Sequence, residues 1–284
     1  MVMMQRLRRM ARPYGKTAQS ILRWKRFSFG DAPPIFGNSK PKSGSHLLLQ
    51  ILSGFTQIMP YRYVEAEPVR TIEKDGRRRS QAEILSDLQA LPNGVIGWGY
   101  LEATSENVAF LCQPQRVNYF AYRDPRDLLV SQVFFATDMH EGHGMHDYYN
   151  SLPNFGERLK IAITGIERDG LKMVGVRQRY EGVFEWLNAP GTLCVRYEDL
   201  INHREATLAS MLDQVEKTGY RIPTPREKAF SILMRAIQPK KSHTFRSGKT
   251  GGWREFFTEE HKGLFKEMAG DLLVRLGYEK TNDW

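Results

Sequence analysis

The sequence has only two cysteines among its 284 residues, Cys112 and Cys194, and neither belongs to a CxxC or any other metal-ligand spacing. That excludes a disulfide scaffold, and two thiols set in apolar runs fit a reducing, cytoplasmic compartment. No stretch approaches the roughly 20 apolar residues of a membrane-spanning helix, and no apolar segment suits a secretory signal. Internal repeats and low-complexity stretches are missing as well. Acidic residues are absent before Asp31, while that same segment holds Arg6, Arg8, Arg9, Arg12, Lys16, Arg23, Lys25 and Arg26. It therefore carries nearly all of the formal net charge of +9. Beyond it bases and acids almost balance, so the broad basic face of a nucleic-acid binder is not implied.

What is present is an ordinary globular composition, 41% hydrophobic and 26% charged, on a chain long enough for one large core. Residues 31–284 are expected to form one domain, preceded by a basic extension over residues 1–30. Leu7, Met10, Ile21, Leu22, Trp24 and Phe27 lie among the basic residues of that extension. It could touch an anionic membrane surface, which would make a cytoplasmic protein membrane-peripheral, or a partner subunit, or be a plain helical arm. A homodimer is left open.

Residues 35–52 organise the chain. An apolar start at Ile35 and Phe36 runs into Lys40-Pro41-Lys42-Ser43-Gly44-Ser45, followed by His46 and by Leu48, Ile51, Leu52 and Phe55 at helical spacing. Strand, turn and helix in this order make an anion site of backbone N–H groups, a helix N-terminus, two hydroxyls and a lysine. The order is not that of the nucleoside-triphosphate loop, in which the second Gly precedes the Lys.

Ser80 and Glu83 form a capping-box pattern before Ile84, Leu85, Leu88 and Leu91, and Pro92-Asn93-Gly94 stops that helix. Residues 95–101 read as a buried strand leading into Glu102, and Val117 to Tyr122 as the clearest strand. The latter ends in Arg123-Asp124-Pro125-Arg126-Asp127, with Asp124 as N-cap and Pro125 at the first helical position. Ser131 follows two helical turns on, so Arg123 and Ser131 can close on one phosphate, unless Arg123 pairs with Asp124 or Asp127. His140, His143 and His146 lie three apart among glycines, in a loop rather than in the helical i, i+4 pattern of a metalloprotease. Helical stripes cover 155–168 and 173–187, a strand covers 192–197, and a final helix runs from about Thr258 to Leu276. Strands alternating with helices predict an α/β fold: a parallel central sheet, helices on both faces, and binding loops at the strand carboxyl ends.

Four segments together resemble the sulfotransferases that use 3′-phosphoadenosine 5′-phosphosulfate (PAPS). Pro41-Lys42-Ser43-Gly44-Ser45 is similar to their 5′-phosphosulfate loop, and Arg123 to Ser131 to their 3′-phosphate segment. Tyr197-Glu198-Asp199-Leu200 matches a common family segment, and Phe245-Arg246-Ser247-Gly248 to Trp253 resembles a second 3′-phosphate loop, with Ser247 and Gly252 replacing its Lys and Asp. The resemblance covers about residues 33–258 and implies a P-loop-like fold and transfer of a sulfuryl group from PAPS to an acceptor hydroxyl or amine, releasing PAP, with no metal. It implies that Lys42, Ser43, Gly44, Ser45 and His46 hold the 5′ end. Arg123, Ser131, Arg246, Ser247 and Gly248 would hold the 3′-phosphate, and Tyr197 and Phe230 the adenine. Lys42 would stabilise the leaving oxygen. The family histidine that precedes the 3′-phosphate strand has no counterpart here. Glu102 is therefore the first candidate for the general base and His46 the second, since the phenol of Tyr100 is a poor base at neutral pH. The rival readings are a PAPS- or PAP-binding protein with little catalysis, and a phosphotransferase. The acceptor class is not legible.

Overall fold

The computed structural model describes residues 15–73, 75–168, 170–241 and 248–284. Its sheet comprises β1 (Ile35–Ser39), β2 (Tyr63–Val64), β3 (Val69–Arg70), β4 (Val95–Tyr100), β5 (Val117–Tyr122) and β8 (Thr192–Arg196). The order is β2-β4-β1-β5-β8, with β3 following β2 along the outer edge of β4. All these pairings are parallel. A parallel sheet needs cover on both faces, and the strand period of two supplies it. Phe120 and Tyr122 of β5 enter one apolar layer, Val117, Tyr119 and Ala121 the other. The chain has an α/β fold with a parallel central sheet flanked by helices.

One layer is closed by α4 (Pro125–Phe134), α6 (Phe155–Thr164), α7 (Val176–Asn188) and α11 (Glu259–Ala269). The opposite layer is closed by α1 (Ser45–Ile58), α9 (Arg204–Glu216) and α10 (Arg226–Ala236). The smaller helices are α2 (Gln81–Ala90), α3 (Ser105–Leu111), α5 (His146–Ser151), α8 (Tyr197–Asn202) and α12 (Leu272–Arg275). Buried Asn38 ties β1 to the end of β4. Its amide donates to Leu101 O at 3.0 Å and accepts from Leu101 N at 2.9 Å, which fixes the first binding loop against its neighbour.

Four strands and the capping box at Ser80 lie where the sequence puts them; both box bonds form. Two short strands within residues 60–80, β2 and β3, pair with β4. Two expectations are corrected. The stripe over 155–168 stops at Thr164, and Ile166–Arg168 (β6) turns back on Leu171–Met173 (β7) as a hairpin. Gly165 makes that exit: its φ is +82°, and an added Cβ would lie 2.5 Å from Met173 O. The last helix is two, broken after Ala269 with Gly270 as its cap.

The described part of the basic extension is helical over residues 15–24 and packs on the domain. Ser20 Oγ donates to Arg62 O at 2.7 Å, Trp24 Nε1 donates to Thr56 O at 3.2 Å, and Phe29 is buried. The boundary drawn at residue 30 is thus not an edge of the packing. No helix of the described residues is long and apolar enough to cross a membrane.

Candidate functional site

The site begins where β1 ends. Lys40 N donates to Ala121 O at 3.1 Å, fastening the loop to β5, and Ser43 N closes a turn on Lys40 O at 3.1 Å. Lys42 adopts φ +68° and Gly44 φ +87°. Left-handed geometry at a lysine costs free energy and marks a backbone held by its surroundings. Gly44 also has Tyr197 against it: an added Cβ would come within 2.6 Å of that ring. Ser39 Oγ donates to Ser45 Oγ at 2.8 Å. The Ser43 hydroxyl is buried and has no hydrogen-bond partner among the described residues.

The second turn is the end of β5. Its charged motif divides into three tasks. Asp124 caps α4, accepting from Arg126 N at 2.9 Å, and pairs with the Arg126 guanidinium at 2.7 Å. Arg126 also meets Glu279 at 2.5 Å and is buried under Trp253 and Trp284. Asp127 reaches the third turn, accepting from Gly251 N at 2.7 Å and Trp253 N at 2.8 Å. Burial pushes the Asp127 carboxyl above its ordinary range, with Arg123 pulling the other way. Arg123 is left for the cavity: 9% exposed, it lies 4.4 Å above the Tyr197 ring and donates to Lys249 O at 3.3 Å. Its nearest acid is Asp127, at 3.8 Å, so the local ion pair is loose. Arg123 Nε is buried without a hydrogen-bond partner among the described residues.

These turns meet at a cavity of about 640 Å³, a volume suited to a nucleotide-sized ligand. Pro41, Lys42, Gly44, Ser45 and His46 line it from the first turn, Arg123 and Ser131 from the second, Tyr197 and Gly248 from the third side. Lys42 Nζ lies 3.8 Å from the ring centre of Phe135, in a π-helical segment (Phe135–Met139) that continues α4. Two N–H-bearing turns, a helix N-terminus and a buried guanidinium with an unused N–H can hold two separated anionic groups. The Arg123 Nε–H, unused among the described residues, fits an anionic group in that cavity.

Other candidate residues lie elsewhere. Ser43 is buried within its loop and does not line the cavity. Phe230 sits on α10 and packs against the core layer beneath α1. Arg246 and Ser247 lie outside the described residues. Glu102 does not line the cavity either, and its carboxylate makes a two-pronged ion pair with Arg78. His46, His140 and His143, by contrast, all line the cavity. His143 Nδ1 accepts from Met145 N at 3.1 Å, which leaves Nε2 as the protonated nitrogen of the neutral ring. Burial, with His140 and Lys42 nearby, lowers the His143 pKa and favours that neutral form. Among the described residues, no group of three or more His, Cys, Asp or Glu could hold a metal ion.

The sequence did not single out Arg70 and Phe135 as lining residues, and it placed Tyr100 near the site only as a poor base. Arg70 enters through the pairing of β3 with β4, which aligns it with Tyr100. Two residues of strand leave no periodic signal.

No protein-family model matches the chain, and no curated protein matches it in sequence. Its fold is similar to that of mouse sulfotransferase SULT7A1 complexed with PAP, at a TM-score of 0.56 and 16% identity, over 87% of each chain. It is also similar to retinol dehydratase in complex with androsterone and inactive cofactor PAP, at a TM-score of 0.56 and 16% identity, over 86% of this chain and 83% of that one.

Proposed function

We propose that this chain is a sulfotransferase that uses PAPS as donor and PAP as its spent form. The observation that carries the reading is the convergence of Gly44, Arg123, Ser131 and Gly248 on one cavity, with Arg123 Nε lacking a partner among the described residues. A fold shared with two structures described as holding PAP supports it. PAPS supplies the sulfuryl group; the chain supplies position and charge. The Gly44–Ser45 amides at the start of α1 take the 5′-phosphate, and Lys42 takes the charge that develops on the leaving oxygen. Arg123 and Ser131 take the 3′-phosphate, and Tyr197, which lines the cavity beside Gly44 and Arg123, borders the adenine. His46 or His140 removes the acceptor proton, since both line the cavity and Glu102 does not.

The rival readings, a PAP-binding protein without transfer and a phosphotransferase, differ in two measurements. Under the proposal PAP raises the melting temperature far more than AMP or ATP does, and incubation with PAPS and a mixed acceptor panel adds a sulfonate detectable by mass spectrometry. Equal stabilisation by ATP would favour the phosphotransferase. A PAP shift with no transfer to any acceptor would favour the binding protein.

A further inference from the structure

Arginines crowd the approach to the cavity, and nearly all are matched by an acid. Arg77 pairs with Glu83 at 3.1 Å, Arg78 with Glu102, and Arg79 with Asp87 at 2.7 Å and Glu73 at 3.4 Å. Arg70 stands apart. It lines the cavity, its guanidinium lies 5.0 Å from the ring centre of Tyr100, and it makes no hydrogen bond or ion pair with any described residue. No Asp or Glu is among the described residues lining that cavity, whereas Lys42, His46, Arg70, Arg123, His140 and His143 all are. A half-buried cation on a wall with no acid is costly unless a ligand brings the opposite charge.

The sheet order separates this cation from the nucleotide contacts proposed above. Arg70 ends β3 on the outer edge of β4, whereas Arg123 follows β5, on the far side of β1. Three strand spacings, about 14 Å, separate the two strand ends that carry them. Arg70 lies by Tyr100, while Phe135, His140 and His143 group together, and on the sulfotransferase reading these five lining residues are the ones left to face an acceptor. Arg179, held by Gln132 and by Val174 O at 2.9 Å, lies close enough to His143 to help burial lower its pKa.

We propose that the acceptor carries an anionic group, a carboxylate or a sulfate ester, and that Arg70 binds it. The inference rests on the sulfotransferase reading for the word acceptor, but not for the anion. Arg70 forks onto two oxygens of the group while its plane stays on the Tyr100 ring. His143 Nε2–H adds a neutral donor from the same set of lining residues. This wall selects against neutral alcohols of the same shape, which would leave the guanidinium without a counter-charge.

The test is a panel in which each acid faces its own neutral counterpart: phenolic acids and uronic-acid sugars against their methyl esters, and sulfated sugars against the unsulfated ones. With saturating PAPS, kcat/KM should favour the acid by tenfold or more, and the better of the carboxylate and sulfate arms names the group. Arg70→Gln should bring the ratio within about twofold of one, and Arg70→Lys should restore part of it. Neutral counterparts that react as well as the acids, or a preference that survives Arg70→Gln, would overturn the proposal. Calorimetric titration of the PAP-loaded protein with the same pairs reads binding without turnover, and no binding of any acid also overturns it. If PAP fails to bind, the nucleotide reading falls alone. The same titration of the protein without nucleotide, wild type against Arg70→Gln, then still decides whether Arg70 holds an anion.

Discussion

The guanidinium of Arg123 lies 4.4 Å above the ring of Tyr197, and the other flank of that ring closes on Gly44, where a Cβ would come within 2.6 Å of it. One aromatic side chain from α8 thus joins the loop after β1 to the loop after β5. Gly44→Ala must both adopt φ +87° and push Tyr197 aside. It should cost about 1–2 kcal/mol of stability and weaken PAP at least tenfold. A melting curve and a PAP titration unchanged from wild type would show that the three residues are not coupled.

Arg123→Ala removes the buried guanidinium whose Nε lacks a partner among the described residues. Charge-assisted bonds to a phosphate are worth about 1.5–3 kcal/mol, so PAP should bind some 10- to 100-fold more weakly while AMP binding changes little. Loss of both affinities in equal proportion would place Arg123 elsewhere than at the 3′-phosphate.

Lys42 reads out differently. Its charge, packed on Phe135, is assigned to the leaving oxygen. Lys42→Ala should lower kcat by about 10²–10³, the range for losing one preorganised charge donor, with a smaller change in the dissociation constant of PAP. A variant that turns over at the wild-type rate removes Lys42 from the chemistry.

Lys40 gives a pH dependence. Its folded pKa is pushed down to about 8 from an ordinary 10.5, chiefly by burial and then by Arg179, against the pull of Glu102. Below 8 the folded state carries an unfavourable buried charge. Between 8 and 10.5 the unfolded chain binds more protons than the folded one, so this group makes stability rise with pH. Lys40→Met removes the charge, and its melting-temperature advantage over wild type should be greatest below pH 8 and shrink toward pH 10.5. A difference constant across that range would contradict the assignment.

Asp127 is structural. It satisfies two backbone N–H groups, at Gly251 and Trp253, from beneath the cavity. Asp127→Ala leaves both without an acceptor and frees Arg123 from its loose partner. Unfolding by denaturant should show a loss of about 3 kcal/mol, and limited proteolysis should cut first near residues 248–255.

Much of this was legible in the residues. The strands at Ile35, Val95, Val117 and Thr192 announce themselves because buried parallel strands are short apolar runs. The first two anion turns were legible because a Gly at left-handed φ and an Asp-Pro helix start are local chemistry. Pairing of two or three residues, as in β2, β3 and the β6–β7 hairpin, leaves no such trace. Nor could spacing show that Glu102 meets Arg78, 24 residues earlier, across the end of the sheet.

The sequence by itself determined the elements and their polarity, and with them the loops that gather at the carboxyl ends of the strands, since each is set by periodicity, caps and turn residues within a few positions. Only the tertiary structure decided which side chains share the cavity. Arg70 is inside because β3 pairs with β4 in a particular register, Glu102 is outside and paired with Arg78, and Phe230 packs against the apolar layer with α10 rather than lining the cavity. Those outcomes depend on contacts between residues far apart in the chain, whose free energies no local pattern encodes.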